Sequence, residues 1–211
     1  MKKQTPEALQ QTRLRIIEAA RDAFRVIGVK DVTMDSIART LKMSKRTIYE
    51  VFPSKEELFL ECIKTSIAQE DAVFAELEKN CENHLEYLLR AFEYRVNELA
   101  KCNAKAFHDI DAYPSVNAFF QEQYEARKAH SLTVLNKGIE EGFFRSNVNH
   151  EIAYFVGNRL PEMVIRSRVF DNVPIKEIFL NTVLCYLSGC VTTKGAMVME
   201  EFFQRYDTSA E

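Results

Sequence analysis

Glycine and proline are scarce in this 211-residue chain, at 6 and 5 residues, and no segment alternates apolar with polar side chains over the length of a strand. Those two residues punctuate turns, and period-two alternation marks half-buried strands, so their shortage predicts an all-α fold. Catalytic signatures are missing as well. The chain has no glycine-rich phosphate loop and no His-Glu-x-x-His. The residues three before His84, His108, His130 and His150 are Cys81, Lys105, Arg127 and Asn147, so the Glu-x-x-His pairs of a helical di-iron centre are absent. His108 beside Asp109 and Asp111 reads as an ordinary polar turn, and no metal or cofactor is expected. The five cysteines (Cys62, Cys81, Cys102, Cys185, Cys190) are odd in number and form no Cys-x-x-Cys. They read as thiols of a reducing compartment, with Cys185 and Cys190 poorly aligned on a helix for a redox pair. No apolar run follows Met1-Lys2-Lys3, which argues against a signal peptide. The uncharged span 178–193 is interrupted by Asn181, Thr182, Ser188 and Gly189 and falls short of the roughly 20 apolar residues of a membrane helix. A cytoplasmic protein without a membrane partner is the expectation, and the 178–193 span reads as a buried interface helix.

What the chain does have is a divided charge. Its net charge is −3, yet residues 1–55 carry 12 Lys/Arg against 6 Asp/Glu, whereas residues 56–211 carry 16 against 25. A basic head on an acidic body places attraction for phosphate at one end of the chain. Within that head, residues 32–59 show three helix starts in close succession. Thr33 is placed to cap a first helix by accepting from the Ser36 N–H, with Val32 and Ile37 as a hydrophobic staple. Ser44 repeats the device with Met43 and Ile48, and Ser54 with Glu57 forms a capping box after the interruption at Pro53.

Two short helices joined by a tight turn make a helix-turn-helix, whose second member can enter the DNA major groove. In the helix from Ser44, Ile48, Val51 and Phe52 share an apolar face, leaving Lys45, Arg46, Tyr49 and Glu50 outward. Arg46 suits guanine O6 and N7, while Lys45, Thr47 and Tyr49 suit phosphate oxygens. Lys55, at the start of the third helix, adds a charge beside helix-terminal N–H groups, and Arg13 near the start of the first helix can approach the DNA backbone. Glu50 either accepts from cytosine N4 or holds Arg46 in place. Taken on Lys45 and Arg46 alone, the competing reading is a solvated basic face of a small bundle.

Arg13-x-x-Ile16-Ile17-x-Ala19-Ala20, then Phe24, Gly28 and Thr33 through Phe59, resemble the DNA-binding signature of the tetracycline-repressor (TetR) family. The most distinctive part is Ser44-Lys45-Arg46-Thr47-Ile48-Tyr49 followed by Phe52-Pro53-Ser54-Lys55-Glu56-Glu57-Leu58, within a match over roughly residues 10–60. Glu50 and Val51 depart from residues common at those positions in the family. The resemblance implies a helix-turn-helix DNA-binding domain over residues 1–53 and a helical body over 54–211 for effector binding and dimerisation, with about nine helices in all. It further implies a repressor that binds a palindromic operator as a homodimer and is released by an unknown small molecule, with Arg13, Thr33, Ser44, Lys45, Arg46, Thr47, Tyr49, Glu50 and Lys55 facing DNA. The body then encloses the effector, for which Tyr87, Phe92, Tyr94, Phe107, His108, Tyr113, Phe119, Tyr124, Arg159, Met163 and Arg166 are the candidate lining groups. Arg159 and Arg166, seven apart on one helix face, suit either an anionic ligand or pairing with Glu162, the latter being favoured. A ligand-independent DNA-binding scaffold and a helical enzyme are the rival readings.

Along the chain, Lys2 and Lys3 form a candidate basic arm, and a first helix is expected over 7–27 with Ile16, Ala20, Phe24 and Ile27 inward and Gly28 closing it. The helix from Ser54 runs to about Asn80, another begins near Cys81, and 103–114 reads as a short helix and turn. Helices over 114–141 and 149–170 follow, the second kinked or broken at Pro161. The last stretch, 174–206, has weak points at Gly189 and Gly195 and two apolar flanks suited to a dimer interface.

Overall fold

In the computed structural model, residues 5–170 and 172–208 are described, and the candidate arm at Lys2 and Lys3 lies outside them. Ten α-helices order the chain: α1 Pro6–Ile27, α2 Met34–Thr40, α3 Lys45–Val51, α4 Lys55–Asn80, α5 His84–Leu99, α6 Ala104–Asp109, α7 Pro114–Glu140, α8 His150–Arg166, α9 Ile175–Cys190 and α10 Thr193–Thr208, with a 3-10 turn at Ile110–Ala112. Among the described residues the extended pairing is limited to one antiparallel bridge between Phe144 and Val191. The fold is all-α, as the sequence predicts.

The chain divides into two compact units, one built from residues up to Asp71 together with Lys101–Gln121, the other from Ala72–Ala100 and the residues from Glu122 on. The first unit is thus larger than the expected 1–53 head. Its core explains why: Ile16, Phe24, Val32, Ile37, Ile48, Phe52, Leu58 and Phe59 are joined by Val116 from the start of α7, with Tyr113 and Phe120 packed alongside. Phe24, Phe59 and Tyr113 meet edge to face, each neighbouring pair of centroids 5.3 Å apart, the geometry that aromatic quadrupoles favour.

Local caps set the ends of the short helices. Thr33 Oγ1 accepts from Ser36 N at 3.0 Å while Ser36 Oγ accepts from Thr33 N at 3.1 Å, a full capping box. Ser44 Oγ accepts from Thr47 N at 3.1 Å, and Ser54 Oγ from Glu57 N at 3.1 Å. Between α2 and α3 the chain turns at Lys42, whose φ of 53° is left-handed. Met43 N donates to Ala38 O at 2.9 Å and Lys42 N to Arg39 O at 3.1 Å, a Schellman closure built without the usual glycine. Gly28 ends α1 at φ 101°, and its exposed neighbour Ile27 does not join the inward stripe expected of it.

The second unit gathers Leu85, Leu89, Phe143, Phe144, Val191 and Met199, with Leu184 and Leu187 packed against them. Leu184, Leu187 and Val191, from the stretch expected to form the dimer interface, are therefore used inside the unit. The single last helix expected over 174–206 is two helices, and the break falls at Val191 and Thr192, not at either glycine. Residues 143–145 capture the peptide groups there: Arg145 N donates to Cys190 O at 2.9 Å, Thr192 N to Phe143 O at 2.9 Å, and Thr192 Oγ1 to Gly142 O at 2.8 Å. Gly195 serves a different purpose, since a Cβ there would lie 2.4 Å from Phe143 O. The expected interruption at Pro161 is also absent: α8 runs through it and ends at Arg166. All five cysteines are free, and burial pushes the Cys62 thiol up to about 12.

Candidate nucleic-acid interface

A reading helix must be anchored on one side and open on the other. Ile48 and Phe52 are buried and Val51 packs half-buried against the same core, so α3 is fixed by its inner face. Burying an Ile fully contributes about 1.5–3 kcal/mol, ample to hold a two-turn helix that would not persist alone. Lys45, Arg46, Tyr49 and Glu50 are exposed on the other face, the Arg46 side chain by 73%. Arg46 and Tyr49 thus both stand outside the fold.

Of the two roles left open for Glu50, the structure contains the contact that holding Arg46 requires. Glu50 Oε1 accepts from Arg46 Nε at 2.7 Å across one helical turn. This pair is too exposed to stabilise the helix by more than a few tenths of a kcal/mol. With Nε engaged, the two terminal guanidinium nitrogens still carry the donors that can fork onto a guanine edge. Lys45 Nζ donates to Asp35 Oδ2 at 2.9 Å, tying the start of α3 to the first turn of α2, and it lies 5.9 Å from the Tyr49 ring centroid. The hydrogen bond to Asp35 raises the Lys45 pKa further from neutrality, so the side chain stays cationic. Thr47 Oγ1 is bonded to Ser44 Oγ at 2.8 Å, and Thr33 is occupied with its cap.

Two residues assigned to DNA are engaged inside the first unit instead. Arg13 Nη2 bonds Glu61 Oε2 at 2.6 Å and its guanidinium lies 4.5 Å from the Phe52 ring centroid, joining α1 to α4 beneath α3. Burial pushes the Glu61 carboxyl up, but hydrogen bonds from Lys64 and Arg13 outweigh it and the net direction is down. Lys55 Nζ donates to Val29 O, Lys30 O and Val32 O at 3.0, 3.2 and 3.0 Å. An ammonium has three donors, so none is left for a phosphate. Sequence spacing missed both because the partners lie 48 and 23–26 residues away. It also missed Asp35, ten residues from Lys45, and Glu61 and Asp109, which lie 48 and 79 residues from Arg13 and Lys30.

The effector candidates are divided between the two units. Phe107, His108, Tyr113 and Phe119 belong to the first unit, where Tyr113 is part of the aromatic core and Lys64 Nζ lies 5.9 Å from the Phe119 centroid. Tyr87, Phe92, Tyr94, Tyr124, Arg159, Met163 and Arg166 belong to the second. Phe92 stacks on Phe179 at 5.5 Å, Tyr94 meets Phe74 at 6.0 Å, and Tyr124 packs against Tyr154 at 5.0 Å with Arg159 over its ring. Glu162 accepts from Arg159 at 3.1 Å and pairs with Arg166 at 2.8 Å, as the sequence favours. Met163 is 61% exposed. A cavity of about 490 Å³ lies between α1 and α2, lined by Arg15, Glu18, Ala19, Asp22, Ala23, Ile27, Ser36, Ile37, Thr40 and Leu41, and none of the effector candidates touches it.

Residues 16–62 match the sequence model of the bacterial regulatory proteins of the tetR family. An uncharacterized HTH-type transcriptional regulator of Bacillus subtilis (strain 168), YhgD, is 43% identical over 54 residues, 26% of this chain and 28% of that protein. That similarity therefore spans little more than a quarter of the relative. Over most of the chain the likeness is one of fold. A TetR-family regulator from Agrobacterium tumefaciens superposes with a TM-score of 0.70 at 20% identity, covering 87% of this chain and all of that one. A putative transcriptional regulator from Saccharomonospora viridis, solved with choline, gives 0.71 at 16% identity, covering 87% and 99%.

Proposed function

We propose that this chain, whose residues 16–62 match the tetR family of bacterial regulatory proteins, is a repressor that binds a palindromic operator as a homodimer and lets go when a small molecule binds its second unit. The observation that carries the proposal is the outward face of α3, where Arg46 and Tyr49 stand exposed above the buried Ile48 and Phe52. Residues 1–53 supply that reading surface, and the later helices supply partner and effector contacts.

Exposed apolar surface in the second unit supports the dimer. Ile152, Phe155 and Met163 are 62%, 53% and 61% exposed and fall on one face of α8 by helical spacing. A two-fold partner would cover such a face, and two heads would then meet half-sites one helical turn, roughly 34 Å, or a multiple apart. A charge at Phe155 is a cleaner test than one at Leu187, which packs against the second core. Phe155→Glu should give monomers whose affinity for a palindrome drops about a hundredfold through lost avidity. The aromatic groups Tyr87, Phe92, Tyr94 and Tyr124 support an effector site in the second unit, as does choline in the Saccharomonospora viridis protein of similar fold. Release requires that the effector bind the two conformations unequally.

Selection from a random duplex pool tests the reading. Enrichment of an inverted repeat by a protein that elutes as a dimer is expected; a monomer that binds DNA at full strength, or no enrichment at all, rejects it. A thermal-shift screen with small metabolites then separates an effector-responsive protein from a ligand-independent scaffold.

A further inference from the structure

We propose that Lys55 and Asp109 clasp the α1–α2 loop from opposite sides and so position α2 and α3 for DNA, making Lys55 a positioning residue and not a phosphate contact. This inference rests on the DNA-binding reading above. A loop leaves peptide groups without helical partners, and each needs a bond elsewhere when buried. In the loop from Gly28 to Thr33, Lys55 Nζ gathers the carbonyls of Val29, Lys30 and Val32, which fixes the chain up to the residue before the Thr33 cap. On the other polarity, Lys30 N donates to Asp109 Oδ2 at 2.8 Å, and Lys30 Nζ lies 3.7 Å from Asp109 Oδ1. Asp109 is 7% exposed, the one charged side chain buried to that degree among the described residues. Gly28 makes room for it: a Cβ there would sit 3.4 Å from Asp109 Oδ2 and 3.1 Å from Lys105 Cβ.

The segment carrying Asp109 is tied to the same region at further points. Asn103 N donates to Arg25 O at 2.7 Å, and Lys105 Nζ pairs with Asp31 at 3.5 Å. Two oppositely charged groups that bind N–H on one side and C=O on the other leave the loop a single low-energy position. Because α2 starts at the end of that loop and α3 is bound to α2 through Lys45 and Asp35, the clasp propagates to the reading face. Desolvation lowers the Lys55 pKa against the opposing effect of Asp109 and Asp31, consistent with an ammonium withdrawn from bulk water. A displacement of residues 103–109 would move the loop and with it the reader, a route by which a bistable element can alter DNA affinity.

The test uses a labelled duplex carrying the sequence that the wild-type chain enriches from a random pool. Lys55→Met and Asp109→Leu should each lower affinity about tenfold while the slope of log K against log salt stays unchanged. Asp109→Asn, which keeps an acceptor for the Lys30 N–H, should recover to within about threefold of wild type. Acetylation of the wild-type protein adds an arm that needs no substitution: Lys55 should react slowly with and without the duplex, while Lys45 is protected by it. A slope reduced by about 0.9 in Lys55→Met, the mark of one lost phosphate contact, would overturn the inference. So would unchanged affinity in both variants, or a Lys55 that acetylates rapidly until DNA shields it. A wild-type chain that enriches no duplex overturns this inference and the function it rests on; the other contrary results overturn this inference alone.

Discussion

The α2–α4 stretch of the first unit and the α9–α10 junction of the second solve the same problem, ending one helix and starting the next, by different means. Between α2 and α4 each helix start is set within four residues: Thr33 with Ser36, Ser44 with Thr47, Ser54 with Glu57. Between α9 and α10 the break is imposed from outside, by residues 142–145 bonding Cys190, Val191 and Thr192 across 45 or more positions. A region whose turns are encoded locally has its helix boundaries set within each segment, and burial of the inner faces then holds the helices in place. A region whose turns depend on distant partners takes its shape only when its core assembles.

That contrast can be broken at its strongest point. Ile48→Ala removes the fully buried anchor of α3 and should cost about 2–5 kcal/mol in denaturant unfolding of the first unit, with DNA affinity lost in parallel. A loss under 1 kcal/mol would mean that the caps alone hold the helix.

A smaller effect is expected where the second unit relies on one side chain. Thr192 Oγ1 accepts from Gly195 N at 3.2 Å while donating to Gly142 O, so Thr192→Val should cost about 1 kcal/mol and leave DNA binding unchanged. If α9 and α10 instead merged into one helix, a rise in helical circular dichroism would show it. The smallest change is a gain: Lys42 pays a left-handed backbone that glycine adopts freely, so Lys42→Gly should raise stability by about 0.5–1 kcal/mol. A decrease in thermal midpoint would contradict the strain argument.

Legibility in the sequence follows the same division. The three caps, the buried face of α3, the outward Arg46 and the Arg159–Glu162–Arg166 cluster were readable because each lies within one or two helical turns. The intrachain partners of Arg13 and Lys55 are not legible in the sequence, for the converse reason. A basic residue beside a helix-turn-helix carries the same local pattern whether it meets a phosphate, Glu61, or three carbonyls of a distant loop. Asp109 looked like an ordinary turn acid, since nothing near it in sequence announces that residues 101–121 fold with the head. Aromatic candidates for the effector scattered between the units because core packing and ligand contact demand the same side chains.

The central claim is that the outward face of α3 reads base sequence twice, once per protomer. Selected-site enrichment run side by side on wild type and Arg46→Ala measures it directly. Wild type should enrich an inverted repeat and Arg46→Ala the same repeat with preference relaxed at one position in each half-site, a difference of about 1–3 kcal/mol there. Identical base preferences for the two proteins would contradict it.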